Sequence, residues 1–168
     1  EPLIKFFKKH NSKTLAYLGN SIAWGEANKI AVRAAAEEAG VTIISEEMIQ
    51  FGQEADVINT LLVKLKVSNP DVIVASIDDD RGITVLLERV QQYQMKSTIV
   101  AASTSISRVI KTSDSLKNST VPIYTLVPKP SKEFIEKFKT FYGEDPGAYA
   151  DSAYDGLILL VDGIMNKK

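Results

Sequence analysis

The chain has 168 residues, 45% apolar and 24% charged, with a formal net charge of −1. That is the balance of one globular domain able to bury its own core. Lys plus Arg number 20 against 21 Asp plus Glu, and Cys is absent, which excludes a basic footprint for nucleic acid, disulfides, zinc–thiolate sites and thiol nucleophiles.

Apolar periodicity alternates along the chain. The opening residues, EPLIKFF, lead into the polar stretch KKHNSK, where the single histidine, His10, reads as solvated. TLAYLG (14–19) is a short apolar run ended by Gly19-Asn20, a strand and turn signal. Residues 24–39 are Ala-rich with charges to one side, a helix stopped by Gly40. VTIISEEMI (41–49) is β-branched and reads as the next strand. Residues 54–67 set Val57, Ile58, Leu61, Leu62 and Leu65 at helical spacing, and Asn69-Pro70 breaks that helix.

DVIVASI (71–77) is a continuous apolar run, the mark of a strand covered on both faces. Residues 82–93 carry Ile83, Leu86, Leu87 and Val90 on one helical face. STIVAAS (97–103) reads as a fourth strand, 105–111 as a short helix and VPIYTLV (121–127) as a fifth strand. Pro122 suits only a strand start or a sheet edge. Ser131 reads as the N-cap of a helix with Phe134, Ile135, Phe138 and Phe141 on its apolar side. After the Asp145-Pro146-Gly147 turn, residues 149–165 form a last helix striped by Tyr149, Ala153, Leu157, Leu160 and Ile164.

Five strands alternating with helices predict a three-layer α/β/α sandwich around a mostly parallel sheet. Ligands of such sheets bind beyond the carboxyl ends of the strands. Four segments therefore carry the chemical interest: GNSIAWGE after the first strand, Gln50-Phe51-Gly52-Gln53 after the second, SIDDDRG after the third and STSIS after the fourth. No apolar run is long enough to span a bilayer. The chain starts at Glu1 with neither Met nor a signal-peptide pattern, as expected of a mature or trimmed chain.

Enzymatic readings find little support. One His makes a Ser-His-Asp triad improbable, and no nucleophile–base pair stands out. Gly19 and Gly25 do not make a G-x-G-x-x-G fingerprint, and the Gly-Lys-Ser/Thr of a P-loop is missing. Neither a cofactor nor a metal is expected. Asp78, Asp79 and Asp80 are consecutive, and successive extended residues point to opposite sides, so all three cannot converge on one ion without a sharp turn. Asp80 reads as the N-cap of the following helix, with Asp78 and Asp79 left to face a ligand. An Asp after the third strand and Lys129-Pro130 after the fifth also resemble the receiver domains of two-component signalling, with one of Asp78–Asp80 as phosphoacceptor. That reading lacks the acidic pair a receiver needs after its first strand, where this chain has Gly19-Asn20-Ser21.

Three stretches carry a broader resemblance. They are SKTLAYLGNSIAWGEANKIAVRAAAEEAGVTIISEEMI with its Trp24-Gly25 pair, EADVINTLLVKLKVSNPDVIVAS with its Asn-Pro-Asp, and FKTFYGEDPGAYADSAYDGLILLVDGI with Tyr142-Gly143, Pro146, Tyr149-Ala150 and Ala153-Tyr154-Asp155. In this order they are similar to the second lobe and crossover helices of type I periplasmic binding proteins, the branched-chain amino acid group. The resemblance implies a two-lobed extracytoplasmic solute receptor, periplasmic or extracellular and free or lipid-anchored. Such a receptor is not an enzyme; it delivers a small molecule, an amino acid or a related polar solute, to an ABC transporter permease.

It further implies a ligand-binding α/β domain over 1–128, and over 129–168 two helices that pack on the other lobe. Ligand contacts then fall on Ser21 and Trp24, on Asp78 or Asp79, and on Ser103 and Thr104. Trp24 would wall the ligand's apolar part. Amino-acid binders of this family often carry an acid after the fourth strand, and AASTS has none. Asp78 or Asp79 is then expected to supply the anion from the neighbouring loop. The stripes of Phe134, Phe138, Leu157, Leu160 and Ile164 need a partner, either this sheet or, by exchange, a second copy in a homodimer.

Overall fold

All five strands run the same way. β1 (Thr14–Asn20), β2 (Thr42–Ile49), β3 (Val72–Ser76), β4 (Thr98–Ala101) and β5 (Ile123–Thr125) pair in the order β2-β1-β3-β4-β5, every neighbour parallel. The computed structural model describes residues 1–126, 130–147 and 149–166. They fall in two units, Glu1–Leu126 and Val127–Lys168.

Parallel strands need crossovers, and here each crossover is a helix. α1 (Pro2–His10) and α2 (Ala23–Ala39) cover one face of the sheet, where Leu3, Phe7, Val32, Ala35 and Ala36 pack on Leu15, Tyr17, Val72, Val74 and Val100. α3 (Glu54–Ser68), α4 (Asp80–Gln92) and α5 (Ser105–Thr112) cover the other, where Ile58, Leu62, Leu86, Leu87 and Val109 meet Ala16, Leu18, Ile73, Ala75 and Ile99. The two residue sets alternate along each strand, as the pleat requires. Every residue of β3 is buried, which is why its sequence shows no polar alternation. The expected α/β/α sandwich is thus the fold, with the sheet wholly rather than mostly parallel.

α1 is an element the sequence reading did not anticipate. Pro2 stands at its first turn, where a missing N–H is harmless, and Asn11 closes it in the left-handed region at φ 50°. Leu3 and Phe7, four residues apart, supply its buried stripe. His10 is exposed, yet its ring stacks on Phe6 at 4.4 Å and meets Tyr124 of β5 edge-on at 5.3 Å. The sheet edges are blunted in different ways. β2 carries Glu46, which Arg33 of α2 grips through two nitrogens at 2.7 and 2.5 Å, and β5 is only three residues long. β5 is also shorter than the expected 121–127, and Val127 lies outside the described residues.

In the second unit, α6 (Lys132–Tyr142) is capped as expected, the Ser131 hydroxyl accepting from the Phe134 amide at 3.1 Å. α7 (Ala150–Met165) follows, and the Tyr154 ring lies 5.7 Å from Phe134. The two helices border an open groove of about 710 Å³ lined in part by Phe134, Phe138, Tyr142 and Tyr154. Neither helix has a buried residue, and Leu157, Leu160 and Ile164 are all more than half exposed. Among the described residues no helix is long and apolar enough to cross a membrane.

At the amino ends of the strands, Asp71 joins two chain segments that are far apart in sequence. One of its carboxylate oxygens accepts from the Lys13 amide (2.7 Å), the Thr14 amide (3.0 Å) and the Thr14 hydroxyl (3.3 Å), while its own amide donates to that hydroxyl at 3.1 Å. These bonds set the start of β1 beside the start of β3. They also hold the Asp71 carboxyl below the usual Asp range, the Lys13 amide being the largest cause. A carboxyl lowered in the fold stabilises it fully above the unfolded value, about 3.9, and loses that contribution as pH falls through the lower folded value. Asp71→Asn should therefore lower the urea midpoint at neutral pH, by the equivalent of about 1–2 kcal/mol. The difference from the parent should close as the titration is carried to about pH 2.

Candidate functional site

The parallel sheet brings the segments after β1, β2, β3 and β4 to one edge. Their positions there are set by an asparagine and a glycine. Asn20, the last residue of β1, is completely buried. Its amide nitrogen donates to Glu54 Oε1 at the start of α3, and its Oδ1 accepts from the Asp78 amide at 3.2 Å. Directly above it, α2 begins so close to β1 that a Cβ on Gly25 would sit 1.9 Å from the Asn20 carbonyl oxygen. Only glycine permits that approach. The Gly25 carbonyl in turn accepts from the buried Tyr17 hydroxyl at 2.7 Å. The Trp24-Gly25 pair thus divides its work: Gly25 lets the helix dock, and Trp24, in the same turn, stays 37% exposed. Ser21 is exposed, its amide bonded to the Ile49 carbonyl at 2.7 Å. After β2, Phe51 is 62% exposed beside Gly52, whose φ of 86° suits glycine.

The three consecutive aspartates have separate environments. Asp78 Oδ1 accepts from the hydroxyls of Ser103 (2.6 Å) and Ser105 (2.5 Å). Those two donors, Ser103 first, hold its carboxyl below the ordinary Asp range, with the nearby Arg108 charge assisting and burial opposing. Both serines use Oδ1, so Oδ2 has no protein partner among the described residues. Asp79 is the N-cap of α4, accepting from the Gly82 amide at 2.5 Å. Asp80 lies in the first turn and pairs with Arg108 of α5 at 2.6 and 3.2 Å. The expectation that Asp80 caps the helix is corrected: α4 starts at residue 80, and the cap is the residue before it.

Ser103 is buried, its oxygen also accepting from the Ser105 amide at 3.1 Å. Thr104 is half-buried at the N-cap position of α5 and makes no capping bond with its side chain. The fold therefore brings Ser21, Trp24, Asp78, Asp79, Ser103 and Thr104 to the same edge. They differ in availability: Ser21, Trp24 and Asp78 are exposed, Ser103 supports Asp78, and Asp79 is engaged by α4. Sequence reasoning missed Asn20, Glu54, Ser105 and Arg108. Ser105 was within reach, two residues from Ser103 in the same STSIS segment. Asn20 reads as a turn residue, Glu54 as one more acid at a helix start, and neither burial leaves a mark in composition.

The geometry defines an α/β lobe with a polar, aromatic-flanked edge at the carboxyl ends of its strands, as in proteins that hold small solutes between two such lobes. A sequence profile of the family described as periplasmic binding protein matches residues 1–166. The chain belongs to that family, and its lobe has the type I architecture. Among curated proteins no significant match is found.

Similar solved structures include an extracellular ligand-binding receptor from Rhodopseudomonas palustris HaA2 (TM-score 0.73, 18% identity, 99% of this chain and 51% of that one). An ABC transporter substrate-binding protein from Desulfitobacterium hafniense in complex with Leu is also similar (0.66, 18%, 99% and 48%). A third is a solute-binding protein from R. palustris in complex with benzoate (0.61, 12%, 86% and 40%). The chain spans about half the length of these relatives. Family membership over 1–166 also sets aside the receiver-like alternative. The position of a first-strand metal acid is here the buried amide Asn20, and Lys129 lies outside the described residues.

Gly25→Ala tests the docking of α2 directly. The added methyl must displace the helix start from Asn20, so the variant should lose about 3 kcal/mol of stability in chemical denaturation. The environment of Trp24, read by its fluorescence, should change at the same time.

Proposed function

We propose that the chain is the second lobe of an extracytoplasmic solute receptor that captures a small polar molecule and presents it to an ABC transporter permease. Family membership and the half-length match to substrate-binding relatives support this reading. The observation that carries it is the composition of the strand edge: Trp24 and Phe51 exposed at the same edge as a carboxylate, Asp78, with one oxygen unclaimed among the described residues. An aromatic surface with a few convergent polar groups is the usual make-up of a small-molecule site.

The polar groups also restrict the ligand class. The Ser103 and Ser105 hydroxyl protons are committed to Asp78, so around Asp78 the lobe offers acceptors and negative charge. A solute with an ammonium or several hydroxyl donors and an apolar portion fits that arrangement; an amino acid is one such solute. Ser21 and Thr104 are assigned as further polar contacts, and closure of the other lobe completes the enclosure. The receptor lies outside the cytoplasm, periplasmic or surface-tethered. Titration calorimetry on the complete receptor with an amino-acid panel separates the acids. Asp78→Asn keeps an acceptor for both serines and removes only charge, so affinity for an ammonium-bearing ligand should fall about tenfold to a hundredfold. Asp79→Asn should leave affinity unchanged. Equal affinity in all three proteins would refute the assignment.

The exposed stripe of α7 is assigned to the first lobe rather than to a second copy, because the relatives are about twice this length. Leu160→Asp should lower the melting temperature of the complete receptor, where the residue is covered. In the 168-residue chain, where Leu160 is 65% exposed, differential scanning calorimetry should find the transition unmoved.

A further inference from the structure

Glu54 is 1% exposed, and its Oε2 is buried with no hydrogen-bond partner among the described residues. A carboxylate removed from water this completely is costly unless paired. Its partners here are unusual: among the described residues no cation bonds it, and the one side-chain donor is the Asn20 amide. Two features make the burial tolerable and informative. Glu54 opens α3, where the free amides of a helix start favour negative charge. It also lies directly under the first turn of α4, so that a Cβ on Gly82 would approach Glu54 Cβ to 2.6 Å. Glu54 therefore meets the β3–α4 segment twice, by packing at Gly82 and, through Asn20, by a hydrogen bond at the Asp78 amide.

The bonds form one chain: Glu54 accepts from Asn20, Asn20 accepts from the Asp78 amide, and the Asp78 carboxylate accepts from Ser103 and Ser105. It links the start of α3, the end of β1, the end of β3 and the start of α5. Resting on the reading of this edge as the ligand site, we propose that Glu54 is its positioning residue. Through Asn20 it fixes the backbone at Asp78, and with it the direction of the carboxylate, without touching the solute. Asn20 donates to Glu54 through its nitrogen and accepts from the Asp78 amide through its oxygen, so its orientation is dictated by the acid behind it.

That polarity gives a test that needs no ligand and so stands or falls apart from the functional reading. Asn20→Asp sets two carboxylates against each other and removes the donor. The amide cross-peak of Asp78 in a ¹H–¹⁵N spectrum of the chain should shift, and its protection from hydrogen exchange should fall about tenfold. Adding Glu54→Gln reverses the pair: the new amide donates, and the aspartate accepts from both sides. The double variant should restore the Asp78 cross-peak and its protection. If Asn20→Asp does not fold, recovery of a cooperative transition in the double variant is the corresponding result. A double variant no better than the single one, or an Asp78 amide indifferent to both, overturns the proposal.

Discussion

Parallel pairing is the constraint from which the rest of this lobe follows. A parallel strand cannot return through a tight turn, so each link must climb back across a face of the sheet. The climbing segments are helices, the helices cover both faces, and the inner strands must then be apolar on both sides. The same geometry leaves every strand ending at one edge. Polar residues excluded from the interior by these rules reappear there, within a few residues of one another. Asn20, Ser76, Asp78 and Ser103 all lie at or just beyond the last residue of a strand.

The two ends of the sheet solve opposite problems with the same residue type. At the amino end, Asp71 turns one oxygen to two backbone amides and a hydroxyl and ties β1 to β3. At the carboxyl end, Asp78 turns one oxygen to serine hydroxyls. The first is a structural fastening, the second a charge held in place at a surface. Between them the inner strands are buried from Leu15 to Leu18 and from Val72 to Ala75.

What was legible in the sequence followed from period and punctuation. DVIVASI announced a doubly covered strand, Gly40 a helix stop and Ser131 a cap, and each forms as read. α1 was not legible because Lys5, Lys8, Lys9 and His10 mask a buried stripe of only two residues, Leu3 and Phe7. The acids were the harder case. Composition puts Asp78, Asp79 and Asp80 on an equal footing, whereas their roles depend on where α4 begins, and a shift of one residue in a helix start exchanges cap and first-turn acid. Glu54 and Asn20 were out of reach for a different reason: burial of a polar side chain is decided by partners distant in sequence, 34 residues apart in this pair.

Trp24 is the sole tryptophan in the chain. It stands partly exposed at the edge where the strands end, one residue from the glycine that fixes its helix. These 168 residues therefore carry a single indole, at the surface proposed to meet solute and opposing lobe. Within these 168 residues its emission reports on that surface without interference from another indole, so the environment of the strand edge can be followed in unlabelled protein, by light alone.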